Sequence, residues 1–395
     1  MRRVEVYDWP VRAGDTYRKM RLNSPAGGWF PALQGLSWTI TESNLPYADL
    51  FFSPHLKTIS IYNSWPLRSP DVPHYLLPSI ASAISMLPTS SLQSLCVGYM
   101  MPWADLADSI SSVVLRCGPS LAEFTSSIPL SEAAMSHLIQ LPHLRTWRIG
   151  SPPPSYSITT LPLVFPPLAA CVLGEGATRG WLPLFKRLEH SASATQGVTP
   201  LSKVKESLEF LTVENRPGTV TDVSFTSTIQ IFRNLVDLNV DTFCHDGGYD
   251  YECAFKLNND DVAELVVALP RLESLTLGRP CFKNTCATTV ACLLPVSVRC
   301  LKLKSLLIHI NTTTIADDFK NISEDHRFEE LRRLPRCTLS LLDVWETPLA
   351  LNEPKFQTVA SGMVDIFPSL GRCIWFGESP SWHTLNGRIK ELQRT

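Results

Sequence analysis

Leu272–Leu277 reads LESLTL, follows Leu269-Pro270-Arg271, and sets apolar residues at the first, fourth and sixth of its six places. The same spacing returns at Leu56–Ile61 (LKTISI), Leu92–Val97 (LQSLCV), Leu144–Ile149 (LRTWRI), Leu208–Val213 (LEFLTV), Leu235–Val240 (LVDLNV), Leu303–Ile308 (LKSLLI) and Leu339–Val344 (LSLLDV). Looser copies start at Leu33, Leu121, Leu168 and Leu370. The fourth and sixth places alternate with polar neighbours, which is the period of a strand with one buried face. A short unit of this kind cannot bury its apolar edge alone; stacking on the next copy buries it. The chain therefore reads as a solenoid with one strand per repeat.

The phrase L-x-x-L-x-L is the strand signature of leucine-rich repeats. Its spacing runs from 23 residues (Leu33 to Leu56) to 40 (Leu168 to Leu208), so the array is irregular and carries insertions. Apolar periodicity predicts helices in several gaps: Trp103–Cys117, Ser131–Leu141, Asn259–Leu269, Pro354–Phe367 and a last one from Trp382. The expected architecture is α/β: an irregular leucine-rich-repeat solenoid forming one domain over 1–395, with a less regular part over 1–200 and a more family-like part over 201–395. Parallel strands line the concave face, and helices and loops form the convex one. Positions between the apolar places then project from the concave face. Arg145, Arg148, Glu209, Thr212, Asp237, Asn239, Glu273, Thr276, Lys304 and Asp343 are the candidate protein-binding residues, alongside Lys57, Thr58, Ser60 and Thr146. Taken singly, each is a solvated position first and a contact second.

Composition fits such an array. Hydrophobic residues make up 44% of the 395, enough for a long core, while charged residues are 18% and prolines number 31. Low charge and many prolines suit short elements joined by punctuated loops. A formal charge of −2 with no dense Lys/Arg run argues against nucleic acid as partner. No apolar run reaches the length of a membrane span. Met1-Arg2-Arg3 leads straight into Val4-Glu5-Val6 with no secretory signal, and the 11 cysteines are scattered. The expected compartment is cytoplasmic or nuclear with free thiols, where the Asn-x-Ser/Thr matches at Asn311 and Asn321 stay unglycosylated. Ser191–Pro200, Pro152–Pro154, Pro162–Pro167 and His245–Tyr251 read as loops.

Signals for chemistry are thin. Gly174-x-Gly176-x-x-x-Gly180, ahead of a helical stretch at Trp181–Glu189, imitates a phosphate-binding turn but misses its spacing and lacks the P-loop lysine. Cys244, His245, Cys253, Cys281 and Cys286 invite a zinc reading, yet no pair has the C-x2-C spacing, and structural cysteines explain them better. Asp260-Asp261 and Asp317-Asp318 sit in the first turns of expected helices, where acidic residues complement the helix dipole. No nucleophile elbow or H-E-x-x-H is present. Trp38, Trp147 and Trp375 fall on strand phrases as core residues, and Tyr62 and Trp345 lie just past strand ends. No cofactor, no metal and no catalytic residue is expected.

The C-terminal third is the most particular part: Leu301–Asp325 (LKLKSLLIHINTTTIADDFKNISED), His326–Phe356 (HRFEELRRLPRCTLSLLDVWETPLALNEPKF) and Met363–Phe376 (MVDIFPSLGRCIWF). This combination resembles the leucine-rich-repeat region of fungal F-box proteins. The resemblance implies a non-enzymatic substrate-recognition platform for a cullin-based (SCF-type) ubiquitin ligase, with a protein substrate as partner. Such proteins open on a helical F-box that docks the ligase adaptor. Here strand-like phrases stand at Met1 (MRRVEV) and Tyr17 (YRKMRL) instead, and place Val4 and Val6 on an open edge. Adaptor binding is expected only if an F-box is supplied upstream. A stand-alone leucine-rich-repeat binding protein is the alternative.

Overall fold

The computed structural model describes residues 2–6, 13–25, 29–63, 74–98, 104–150, 167–174, 200–215, 223–242, 256–278, 286–326, 329–330, 333–344, 353–374 and 380–394. The chain divides into two compact units, Met1–Gly174 with Thr195–Val204, and Glu175–Ala194 with Lys205–Thr395.

In the first unit seven strands are described: β1 (Arg3–Val6), β2 (Gly35–Ile40), β3 (Thr58–Asn63), β4 (Ser94–Val97), β5 (Glu123–Ser126), β6 (Thr146–Ile149) and β7 (Ala170–Leu173). Each pairs in parallel with the next in sequence order. Helices α1 (Ala13–Leu22), α2 (Leu77–Ser85), α3 (Ala104–Arg116) and α4 (Glu132–Ile139) occupy the intervals. Helix α5 (Pro200–Ser207) carries residues of both units.

The second unit repeats the plan with β8 (Phe210–Asn215), β9 (Asp237–Thr242), β10 (Ser274–Leu277), β11 (Ser305–Ile308), β12 (Leu341–Asp343) and β13 (Arg372–Ile374), again parallel and in order. Helices α6 (Val223–Ile229), α7 (Asn259–Ala268), α8 (Leu293–Arg299), α9 (Ile315–Glu324), α10 (Glu353–Ile366) and α11 (Pro380–Leu392) alternate with them. Both units are α/β solenoids of the leucine-rich-repeat type.

The phrase works as its spacing predicts. Its three apolar places are buried in copy after copy: Leu56, Ile59 and Ile61; Leu92, Leu95 and Val97; Leu235, Leu238 and Val240; Leu303, Leu306 and Ile308. Burial of each such side chain contributes about 1.5–3 kcal/mol. The second place extends the ladder beyond the strands. In the first unit the amides of Gln34, Lys57, Gln93, Ala122, Arg145 and Ala169 each donate to the equivalent carbonyl of the preceding repeat.

The proline lead-in has a structural cause. The amide of the first Leu closes a tight turn onto the carbonyl three residues back: Leu56 onto Ser53, Leu144 onto Leu141, Leu272 onto Leu269 and Leu370 onto Phe367. Pro54, Pro142, Pro270 and Pro368 occupy the second place of these turns, where a fixed φ near −65° is favourable.

The expected helices form at Ala104–Arg116, Glu132–Ile139, Asn259–Ala268, Glu353–Ile366 and Pro380–Leu392. Two caps explain where they start. The Ser131 hydroxyl accepts from the Ala134 amide at 3.3 Å. Asn258 Oδ1 accepts from the amides of Asp260 (2.8 Å) and Asp261 (3.0 Å), while the Asn258 amide donates to Asp261 Oδ2 at 2.8 Å, completing a capping box. The Asp260-Asp261 pair therefore has a structural role. Asp317 and Asp318 likewise lie in the first turn of α9, where the Thr314 hydroxyl donates to Asp318 Oδ2 at 2.9 Å.

The phrase at Tyr17 is a correction. Residues 17–22 form the end of helix α1, not a strand. Arg, Lys, Met and Leu are good helix formers, and this segment lacks β-branched residues. Packing completes the choice: the Tyr17 ring lies 5.9 Å from the rings of both Tyr47 and Phe51. Val6 is buried in register with Trp38, and Val4 is half-buried.

Candidate functional site

Along each strand the third and fifth places of the phrase face away from the buried ones. They are half-buried or exposed in β3 to β6 and in β8 to β11, as the alternation requires. These outward places form the candidate surface in each unit.

In the first unit Arg145 and Arg148 are exposed, and Thr125 is the register partner of Arg148. Arg3 and Lys57 are exposed as well, at the third place of β1 and the second place of the β3 phrase, with Glu5 and Glu123 as the acidic members. Cys96 also sits here, half-buried, its thiol 4.0 Å from the Tyr62 hydroxyl. Burial raises its pKa, opposed by that hydroxyl and by the Arg148 charge.

In the second unit the register brings Thr212, Asn239 and Thr276 into one row, and the row continues through Leu307 to Asp343. Asp343 is 8% exposed, so it is more a floor than a contact. Glu273 and Lys304, neighbours at the second place, form an ion pair at 2.6 Å. The hydrogen bond from Lys304, followed by its charge, holds the Glu273 carboxyl below its usual range. Glu209 is exposed at the equivalent place, and Asp237 is half-buried on β9. Burial raises the Asp237 pKa, against a hydrogen bond from Ser274.

Several outward residues escaped the phrase-based reading. Strands β8 and β9 run two residues past the phrase and pair Glu214 with Asp241. Phe210 on β8 is 46% exposed, in register with Asp237. Continuing the alternation by one more place would have found Glu214 and Asp241. The face is thus not uniformly mixed in sign: its described residues lean basic in the first unit and acidic in the second.

The other sequence signals resolve as structure. Gly174 follows β7 where a Cβ would meet Gly150 Cα at 2.8 Å, so close packing explains this glycine; Gly176, Gly180 and Trp181–Glu189 lie outside the described residues. Of the zinc candidates only Cys286 is described, and its thiol is buried against the Thr288 carbonyl at 3.6 Å. Cys244, His245, Cys253 and Cys281 lie outside, as do Ser191–Thr199, Pro152–Pro154, Pro162–Pro166, His245–Tyr251, Trp345 and Trp375. Among the described residues, no His, Cys, Asp and Glu side chains gather as a metal site, and no helix is long and apolar enough to cross a membrane. Trp38 and Trp147 are core residues, and Tyr62 is half-buried over Gly98.

No family model matches the chain, and no curated protein matches it. Among solved structures it is similar to the leucine-rich repeat-containing protein LegL7 from Legionella pneumophila, at 11% identity, 98% coverage of each chain and a TM-score of 0.35. A likeness that low carries no argument; the strands, registers and buried phrase define the class as a leucine-rich-repeat α/β solenoid.

Proposed function

We propose that this chain is a protein-binding platform that docks its partner on the outward strand positions. One observation carries the reading: strand after strand buries its fourth and sixth places and leaves the third and fifth on the surface, in register with their neighbours. That arrangement sets side chains about 4.8 Å apart across strands and about 6.6 Å apart along them, a spacing suited to contacting another polypeptide. Arg145, Arg148, Glu209, Thr212, Asp237, Asn239, Glu273, Thr276 and Lys304 are the proposed contacts, with Asp343 beneath them. The whole chain acts as one platform, in the cytoplasm or nucleus, without catalysis.

The finer reading is substrate recognition for a cullin-based ubiquitin ligase. It rests on the resemblance of Leu301–Phe356 and Met363–Phe376 to the repeats of fungal F-box proteins, not on the geometry. A stand-alone binding protein remains the alternative.

The test places a photo-crosslinking residue at Thr276 on the strand face or at Val267 on α7, which is 57% exposed. A partner crosslinked through position 276 and not 267 supports the platform; the reverse pattern contradicts it. Recovery of a cullin adaptor in the same complex once an F-box is fused upstream, and not without it, supports the ligase reading.

A further inference from the structure

The strand face of the second unit is chemically specific. Glu209, Glu214, Asp237, Asp241 and Glu273 all stand at outward or second places of β8, β9 and β10. The lysines described nearest this face are Lys304, whose ammonium is already held by Glu273, and Lys302, whose charge also acts on Glu273, so Glu209, Glu214, Asp237 and Asp241 are left as its acidic residues. Two carboxylates recur on one strand: Asp237 and Asp241 are four residues apart on the same face of β9, about 13 Å at 3.3 Å per residue. Each has a distinct neighbour on β8. The half-buried Glu214 stands beside Asp241, which is set low in the face, and the exposed Phe210 stands beside Asp237.

We propose that the strand face over β8–β10 docks an extended protein segment carrying two basic side chains four residues apart, with arginine at the place over Phe210. This inference rests on the platform reading and names the chemistry of its partner. Charge complementarity selects a cationic occupant. The spacing matches, because basic residues at i and i+4 of an extended segment are separated by the same distance as Asp237 and Asp241. Arginine fits the first place because a guanidinium stacks on an aromatic ring while its fork bonds a carboxylate. At the second place the half-buried Glu214 is the contact for either basic residue, and Asp241, 8% exposed, is a negative floor beneath it. The raised pKa of Asp237 is consistent with this: a carboxyl partly stripped of water gains most from an incoming cation.

The experiment measures binding of the full chain to fluorescein-labelled GSRGSGRGS by anisotropy, with the same peptide carrying Glu for Arg as control. Expected is binding of the arginine peptide and none of the glutamate one. Asp237→Asn should weaken binding about tenfold and Phe210→Ala about threefold, while Glu264→Gln on helix α7, an exposed carboxylate off the strand face, leaves it unchanged. Raising salt should weaken it further. Circular dichroism of each variant establishes that the fold is retained. Equal binding of both peptides, no binding of the arginine peptide, or indifference to Asp237→Asn overturns the proposal. A partner crosslinked at position 276 through a segment without basic residues overturns this inference and leaves the platform intact. Absence of any strand-face crosslink overturns both.

Discussion

Gly174 lies against Gly150 so closely that a Cβ on Gly174 would sit 2.8 Å from the Gly150 Cα and 3.0 Å from the Ile149 carbonyl oxygen. Gly150 in turn leaves no room beside Ser127, whose carbonyl oxygen would be 2.6 Å from an added Cβ. Both glycines follow the sixth place of the phrase, where the chain leaves the strand. Their amides donate back to the previous repeat, Gly174 to Ile149 at 2.7 Å and Gly150 to Ser126 at 2.8 Å. The obstacles are backbone, so they cannot rotate aside.

Gly150→Ala and Gly174→Ala should therefore each destabilise the first unit by about 1–3 kcal/mol. Gly387 in α11 has nothing within 4 Å of its would-be Cβ, so Gly387→Ala should stabilise by about 0.5–1 kcal/mol. Urea unfolding of the three variants checks both signs.

Asn44 ties the start of the first unit's helical side to β2. Its Oδ1 accepts from Trp38 Nε1 and from the Thr41 amide, both at 3.0 Å, and its Nδ2 donates to the Thr39 carbonyl at 2.8 Å. Asn44→Ala leaves buried donors without an acceptor, and should cost about 2–4 kcal/mol. A lowered urea midpoint at unchanged slope is the expected readout.

Burial pushes the thiols of Cys117, Cys171 and Cys300 up to about 12, and that of Cys337 to about 11. Cys96 is half-buried on the strand face, and its environment partly offsets the rise. Iodoacetamide at pH 8 should modify Cys96 well before these four, because only the thiolate reacts. Peptide mapping by mass spectrometry gives the order. Early loss of Cys171 would contradict its place in the core.

The Asp318 carboxyl is raised, chiefly by burial, against the Thr314 hydroxyl and with the Asp317 charge adding to the rise. A carboxyl whose folded pKa exceeds its unfolded value favours the folded state in acid, and that contribution is lost as pH rises through the folded pKa. At pH 7 the ionised group therefore weighs against folding. Asp318→Asn should raise stability at pH 7, and the gain should vanish below the unfolded pKa. Thermal melts at the two pH values test the sign.

Much of this fold is legible in the sequence, because one requirement recurs. Leu144, Trp147 and Ile149 must all be buried beside their register partners, and the turn from Leu141 needs its proline, so the signal is repeated and local. Helices chosen by packing are harder to see. The Tyr17 segment alternates like a strand yet folds as a helix because its tyrosine finds Tyr47 and Phe51. Helix α8 hides behind Pro295, which is harmless in a first turn that has no amide bond to lose. The site was half visible. Outward places inside the phrase could be named, and Glu209, Asp237 and Glu273 already lean acidic, but Glu214 and Asp241, which add to that bias, lie beyond its sixth position.

If partners meet the strand face, Phe210 and Val267 are the natural reporters. Both are exposed, at 46% and 57%, one on the outward side of β8 and one on helix α7. Hydroxyl-radical footprinting of the full chain, with and without a crosslink-identified partner, reads their oxidation rates side by side. A partner seated on the strand face slows oxidation of Phe210 severalfold and leaves Val267 unchanged. Protection of Val267 with Phe210 still fully reactive would contradict docking there.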